Sequence, residues 1–254
     1  MISKNKKKFL SSLQQKKYRK KYGVFVGEGD KINGDLLAEG VKSVELYATQ
    51  DWIDENSQIL PENTFAVSVS ELKSVSNLKS PPRVIGVYEA IEHKINLSEI
   101  KDSLVLALDG IQDPGNMGTI IRLADWFGIK HVVCSEDTAD VYNPKVVQAT
   151  MGAIARVNVY YADLHKIIDG YKKETGLPVY GTFLEGENIY EKELSDRGMI
   201  VMGNEGKGIS KEIEQHITGK LYIPNYPSDA QTSESLNVAV ATAVVCSEFR
   251  RRML

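Results

Sequence analysis

The sequence predicts an α/β protein in which a small α/β domain precedes an open, mostly parallel sheet. Two observations carry that expectation. From Leu104 onward, near-continuous apolar runs alternate with amphipathic segments, the pattern of strands covered on both faces by crossover helices. Three of those runs end in turns rich in glycine, amides and charge, each leading into a helix: LVLALDGIQDPGNMGTIIR (104–122), MIVMGNEGKGIS (199–210) and LYIPNYPSDAQTSESLNV (221–238). Polar groups at the carboxyl ends of parallel strands are where open sheets bind ligands.

Taken from the N-terminus, the first 22 residues hold Lys4, Lys6, Lys7, Lys8, Lys16, Lys17, Arg19, Lys20 and Lys21 without an acid. Such a concentration of cations pairs with phosphates, and its alternative is a solvated helix face. Phe9, Leu10, Leu13 and Tyr18 are interleaved with the charges and predict a docked helix rather than a loose tail. Short extended and helical stretches then alternate: VFVGEG (24–29), DKINGDLLAEG, VKSVELYAT (41–49), FAVSVS (65–70), SELKSVSNL and RVIGVYEA (83–90). Pro81 and Pro82 introduce the last of these, since proline resists helix and pushes its neighbour toward extended geometry. The divisions expected are a domain at 1–90, a polar linker at 91–103 and a second domain at 104–254.

In the second domain the apolar runs LVLAL, HVVCS, VNVYYA, LPVYGTF, MIVMG and LYIP alternate with helical segments. Asn143-Pro144 marks one helix start, an N-cap side chain followed by proline at the first helical position. Arg250, Arg251 and Arg252 close the last helix at the negative end of its dipole.

Composition narrows the function classes. The chain has 254 residues, 42% of them hydrophobic, and a net charge of −3, which suits one large or two modest globular domains. No run of about 18 apolar residues exists and the N-terminus lacks a secretory apolar core, so a cytoplasmic location without membrane association is expected. Cys134 and Cys246 stand far apart, and His93, His131, His165 and His216 are scattered, so neither a metal site nor a disulfide is expected.

Each turn has chemistry of its own. In the first, backbone N–H groups at the helix start attract anions, Asn116 can bond across the turn, and Arg122 could grip a phosphate with both arms of its fork. DPGN is also an ordinary turn leading into a helix. The second, Gly203-Asn204-Glu205-Gly206-Lys207-Gly208, permits close approach of backbone to ligand and offers the Glu205 carboxylate for orientation. It is neither a P-loop nor a dinucleotide fingerprint, which sets aside a nicotinamide-dependent oxidoreductase. The third leads through Asn225–Glu234 to Ser235-Leu236-Asn237 and a helix rich in alanine.

Together the arrays Asn116-x-Gly118-x-x-x-Arg122, Met202-Gly203-Asn204-Glu205-Gly206, and Ile223-Pro224 followed by Ser235-Leu236-Asn237-Val238 resemble the three motifs of the SpoU (TrmH-type) RNA ribose 2′-O-methyltransferases of the SPOUT superfamily. The resemblance covers about 104–250, and the basic N-terminal part is similar to the family's ribosomal-protein-like substrate-binding domain. It implies a Rossmann-like sheet whose C-terminal segment is threaded into a trefoil knot, a rare exception to unknotted topology. It also implies S-adenosylmethionine bound at Gly203, Ile223 and Leu236 with Thr182 and Leu184 nearby, and a homodimer whose active site borrows residues from the partner. Arg122, Asn116, Glu205, Ser235 and Asn237 match the catalytic set. The resemblance implies Arg122 as the base or base-assisting group. Because a guanidinium normally stays charged, the role expected here is to position a phosphate and the 2′-oxygen, with Glu205 and Asn116 orienting it and Ser235 and Asn237 placing the ribose or its phosphate. Lys6, Lys7, Lys16, Lys17 and Arg19 are the expected RNA contacts, with ribosomal RNA ahead of transfer RNA as substrate. Two departures from the family pattern stand out: a longer loop between Pro224 and Ser235, and Ala239 where the family often has serine. The competing expectation is a non-catalytic RNA-binding or ribosome-assembly protein on the same fold.

Overall fold

The computed structural model describes residues 1–91, 93–227 and 235–253. In chain order its elements up to residue 89 are α1 (Lys4–Ser12), α2 (Lys16–Tyr22), β1 (Val24–Glu28), α3 (Asp30–Ala38), β2 (Ser43–Ala48), α4 (Gln50–Glu55), β3 (Thr64–Ala66), α5 (Val69–Lys73) and β4 (Val84–Glu89). They continue with α6 (Leu97–Ile100), β5 (Leu104–Asp109), α7 (Pro114–Trp126), β6 (His131–Cys134), α8 (Pro144–Thr150), β7 (Asn158–Tyr161) and α9 (Leu164–Thr175). The last are β8 (Val179–Asn188), β9 (Gly198–Gly203), α10 (Lys211–Glu214), β10 (Gly219–Tyr222) and α11 (Val238–Arg251).

Two compact units result, Met1–Glu92 with Asp140–Arg156, and His93–Ala139 with Val157–Leu254. They depart from the sequence divisions at two places: the stretch 91–103, expected as a linker, joins the second unit from His93 on and buries Ile100 of α6 in its core, and the segment Asp140–Arg156, which follows β6 in the chain, packs into the first unit.

In the first unit the strands run in the order β1-β4-β2-β3, with β4 antiparallel to both neighbours and β2 parallel to β3. Ile2, Leu10, Leu13, Val24, Val26, Tyr47, Leu72, Ile85 and Val87 form a core on it. The basic stretch makes two helices where the sequence predicts one. Ser3 caps α1 by accepting from Lys6 N at 3.3 Å, and α2 ends on Gly23, whose φ of 64° is the left-handed geometry that suits a glycine stop. Leu10 and Leu13 are buried, so the pair is docked as expected.

Arg19 is a correction to the expected RNA contacts. Its side chain is 5% exposed and points inward, donating to the carbonyls of Leu13 and Gln14, both at 2.8 Å, and to Asp140 Oδ2 at 2.7 Å. A guanidinium with these three partners ties the α1–α2 corner to the Asp140–Arg156 segment, and its Nε–H is buried without a partner among the described residues, out of reach of a phosphate at the surface. Nearby, Arg156 pairs with Asp35 at 3.3 Å within the same unit. Helix α8 starts as expected, Asn143 accepting from Lys145 N at 2.9 Å with Pro144 in its first turn.

The second unit is a six-stranded sheet in the order β10-β8-β9-β5-β6-β7, every neighbouring pair parallel. Val105, Ala107, Val133, Val179, Met199 and Val201 lie in its buried core with Ile168 and Tyr171 of α9, which is why these strands read as uninterrupted apolar runs. Helices α7 and α11 pack together. Arg250 of α11 donates to the Phe127 carbonyl at 2.8 Å and the Gly128 carbonyl at 3.4 Å, satisfying the exposed end of α7. Glu248, 4% exposed, takes both Arg251 and Arg252, and those guanidiniums hold its carboxyl down to about 2. No helix among the described residues is long and apolar enough to cross a membrane.

Candidate active site

Strands β5 and β9 lie side by side with Asp109 opposite Gly203, so their carboxyl ends are flush. The chain proceeds from β5 to β6 and β7 on one side, while β8 and β10 lie on the other side of β9. The β5–β9 boundary is therefore the point where strand order reverses, the ligand crevice of an open parallel sheet.

Asp113 starts α7 by accepting the Asn116 N–H at 2.8 Å, and Pro114 occupies the first helical turn. That cap turns the Asn116 side chain toward β9. Asn116 Nδ2 donates to Glu205 Oε1 at 3.1 Å, and Asn116 Oδ1 accepts from Asn237 Nδ2 at 2.9 Å. Asn237 in turn caps α11, its Oδ1 accepting from Ala239 N at 3.0 Å and Val240 N at 3.3 Å. Glu205 also accepts from the backbone of Asp113 at 3.1 Å and Gln112 at 3.2 Å. One chain of hydrogen bonds, Glu205–Asn116–Asn237, thus joins the three turns.

Two residues that the sequence reading did not single out hold this arrangement. Asn204 Nδ2 donates to the Gly110 carbonyl at 2.6 Å, while its Oδ1 accepts from Gly206 N at 3.0 Å and Lys207 N at 3.1 Å. Asp109 Oδ2 accepts from Ser210 N at 2.7 Å, closing the far side of the same loop. The Asn204 signal is legible afterwards: an asparagine followed two residues on by glycine is the Asx-turn pattern. Asp109 carries no such local mark, because its partner is about a hundred residues away.

Burial disfavours the charged form of Glu205, but the hydrogen bonds from Asn116 and from backbone N–H groups outweigh it and hold the carboxyl below its ordinary value of 4.5. A carboxylate in that state is an acceptor occupied by its own loops and a poor proton acceptor at neutral pH. The depressed folded value means its stabilisation is complete above the ordinary carboxylate range and is lost only as pH falls through the lower folded value. Glu205→Gln turns one of the two oxygens into a donor facing an N–H donor, an expected cost of about 1 kcal/mol or more. Faster amide exchange at Gln112 and Asp113, with β5 and β9 unchanged, is the result that checks it.

Arg122 does not join this chain. It is exposed on α7, and among the described residues it has no hydrogen-bond or ion-pair partner. Helix geometry accounts for the separation, since six residues from Asn116 is roughly 120° away around the axis and about 9 Å along it. The expectation that Glu205 and Asn116 orient Arg122 is therefore not met within one chain. Ser235 and Leu236 are exposed immediately before Asn237.

The remaining candidates lie on consecutive strands. Gly203, buried, ends β9. Thr182, half-buried, and Leu184, exposed, lie in the part of β8 that leaves β10: pairing runs through Lys220 opposite Gly181, then resumes with Leu221 opposite Glu187. Ile223 follows β10 and is half-buried. Of the long loop between Pro224 and Ser235, residues 228–234 lie outside the described residues. Lys6 pairs with Glu45, while Lys16 and Lys17 are exposed and Lys7 is half-buried. Among the described residues no group of three or more potential ligands could hold a metal ion.

Comparison with known proteins places these loops in a family context. Residues 103–247 match the SpoU rRNA Methylase family, and residues 4–86 match the MRM3-like substrate binding domain. A relative from Bacillus subtilis, the 23S rRNA (guanosine(2553)-2′-O)-methyltransferase RlmP, is 30% identical over 98% of this chain and 97% of its own. A solved structure from Porphyromonas gingivalis, assigned to the TrmH family of RNA methyltransferases, has a TM-score of 0.89 and 40% identity, covering 99% of each chain. An rRNA methyltransferase from Sinorhizobium meliloti, solved with AdoMet bound, has a TM-score of 0.86 and 28% identity over 100% of this chain and 98% of its own.

Proposed function

The chain belongs to the SpoU rRNA Methylase family, and from that premise we propose that it transfers the methyl group of S-adenosylmethionine to a ribose 2′-hydroxyl of ribosomal RNA. The observation that carries the reading is the Glu205–Asn116–Asn237 chain at the strand-order reversal, which joins all three family motifs in one site. The 23S rRNA activity for which the Bacillus subtilis relative is named favours ribosomal over transfer RNA as substrate.

S-adenosylmethionine supplies an electrophilic sulfonium methyl. What remains for the protein is to hold the cofactor, align the 2′-oxygen with that methyl and manage one proton. The residues present fit such a ligand: Leu184 and Leu236 are 69% and 49% exposed, apolar surface of the kind an adenine ring covers. Gly203, Ile223 and Thr182 complete the cradle in this reading. Arg122 grips the substrate phosphate and 2′-oxygen, since a guanidinium stays charged and serves as a positioner better than as a base. Asn116 and Glu205 keep the turns in register, and Ser235 with Asn237 places the ribose.

The same reading includes the family's knotted C-terminal threading, a homodimer and a cytoplasmic location. For the threading, the reading draws on Gly186, where a Cβ would sit 2.5 Å from the Leu221 carbonyl carbon, so the parallel strands β8 and β10 touch backbone to backbone where their pairing shifts register. Support for the dimer comes from Trp126, 82% exposed, and Val240, 51% exposed, on the paired helices α7 and α11. A second copy would also bring groups to Arg122 that its own chain does not. Residues 1–90 act as the RNA substrate-binding part in this scheme.

The test is a map of ribose methylation in ribosomal and transfer RNA with and without the gene. Loss of one 2′-O-methyl in ribosomal RNA, restored by the wild-type gene but not by Arg122→Ala, is the expected result. An unchanged map together with no S-adenosylmethionine binding by titration would overturn the proposal in favour of a binding-only protein.

A further inference from the structure

Aromatic rings stand among the lysines of α1 and α2 in a repeating arrangement. Tyr18 and Tyr22, one helical turn apart, are nearly parallel, with centroids 6.4 Å apart and planes at 13°. Phe9 of α1 sets its ring against Tyr22 at 5.3 Å and 72°. Lys17 Nζ lies 4.8 Å from the Tyr18 centroid, and one turn on, Lys21 Nζ lies 5.3 Å from that of Tyr22. Tyr22 nevertheless remains 46% exposed. Lys4, Lys16, Lys17, Lys20 and Lys21 have no carboxylate partner among the described residues, whereas Lys6 pairs with Glu45.

Phe9 and Tyr18 pack against the core of the first unit, but a helix face that only needed solvation would not keep the exposed Tyr22 ring in its cationic stripe. Ammonium–ring contacts at exposed sites are weak, so the lysines are free to move to a stronger anion. Phosphates alone would leave the Tyr22 ring unused. In a duplex RNA the bases are stacked inside, and what faces a protein is phosphate and ribose. Unpaired nucleotides present both a phosphate and an aromatic face, and base–aromatic stacking is the usual way such strands are held.

We propose that this face of α2 is a stacking subsite for unpaired nucleotides of the substrate RNA, with Tyr22, backed by Tyr18 and Phe9, taking a base and Lys17, Lys20 and Lys21 taking the flanking phosphates. The inference rests on the reading of residues 1–90 as RNA-binding. It goes further in naming the conformation of RNA recognised and the residue that recognises it.

The test uses the full chain, a short unstructured RNA, a duplex RNA of equal length and the same single strand with abasic positions, read by fluorescence anisotropy over a salt series. Tyr22→Ala is expected to weaken single-strand binding about tenfold, leaving duplex binding and the salt slope unchanged. Tyr22→Phe restores the affinity, and the abasic strand binds wild type and Tyr22→Ala alike. Combined Lys17→Ala, Lys20→Ala and Lys21→Ala weakens both RNAs and flattens the salt slope. A Tyr22→Ala loss that is absent, or equal for single strand and duplex, overturns the stacking subsite while the lysine result still stands for RNA binding. If the triple lysine variant binds both RNAs as wild type does, the RNA-binding reading itself fails. Tighter binding of wild type to phosphatidylserine vesicles than to either RNA would assign the face to a lipid surface and overturn the proposal.

Discussion

Replacing Arg122 with alanine is expected to slow methyl transfer by about 10²–10³-fold, the usual consequence of removing one positioned donor from developing charge, while affinity for S-adenosylmethionine and thermal stability stay as they are. The structural reason for the second half is unusually clean. Arg122 is exposed and, among the described residues, bonds to nothing in its own chain, so its loss leaves no buried partner unsatisfied. It lies off the Glu205–Asn116–Asn237 chain, so the three turns keep their register without it. Arg122→Lys keeps the charge but loses the planar fork, and a partial rate between the two is expected. Single-turnover rates with saturating cofactor, alongside cofactor titration, decide the matter. Full activity in Arg122→Ala would remove the residue from the mechanism, and joint loss of rate and cofactor affinity would show that the helix start had been disturbed.

The contrast between Arg122 and its neighbours shows what kind of information the sequence carried. The turns at 110–118, 203–208 and 235–237 were legible because glycine, asparagine and proline act on the backbone within a few residues, and the apolar runs before them are the mark of buried parallel strands. FAVSVS at 65–70 was only partly legible. It reads as one strand, yet β3 stops at Ala66 and α5 starts at Val69, because Ser68 and Glu71 form a capping box that outweighs the β-branched residues. Arg19 was misread for a different reason. It stands in a run of lysines, and what draws it inward, besides the Leu13 and Gln14 carbonyls, is Asp140, 121 residues away. Nothing local distinguishes it from Lys17 or Lys20. The same distance hides the allegiance of Asp140–Arg156, whose own residues say helix and turn without saying against which sheet they pack. A consequence for experiment is that deleting residues 1–90 strips the partners from that segment as well, so substitutions on α2 are the cleaner probe of RNA binding.

Gly203→Ala is the substitution expected to cost most in structure. A Cβ at Gly203 would lie 2.2 Å from the Gly208 carbonyl carbon and 2.2 Å from Ile209 N, with the Gly208 oxygen at 2.6 Å. All three are backbone atoms, and the loop they belong to cannot swing aside as a side chain would. Gly208 and Asn204 exchange backbone hydrogen bonds at 2.9 Å each way, and Asp109 holds Ser210. Opening the loop to admit a methyl group would strain these bonds and move Glu205 off the Gln112–Asn116 turn. A penalty of about 3 kcal/mol is expected, the upper end for overpacking, with loss of cofactor binding because the displaced loop is the one that borders the cradle. Gly206, three residues later in the same loop, is the control. A Cβ there would meet only Asn204 Oδ1 at 3.8 Å, ordinary contact distance, so Gly206→Ala should stay within about 0.5 kcal/mol of wild type. Thermal unfolding and cofactor titration of the two variants side by side separate a backbone that must pass close from a loop that merely contains glycine. Equal stability and equal cofactor affinity in both would mean that the β9 turn yields, and that neither the chain nor the cofactor requires a glycine at 203.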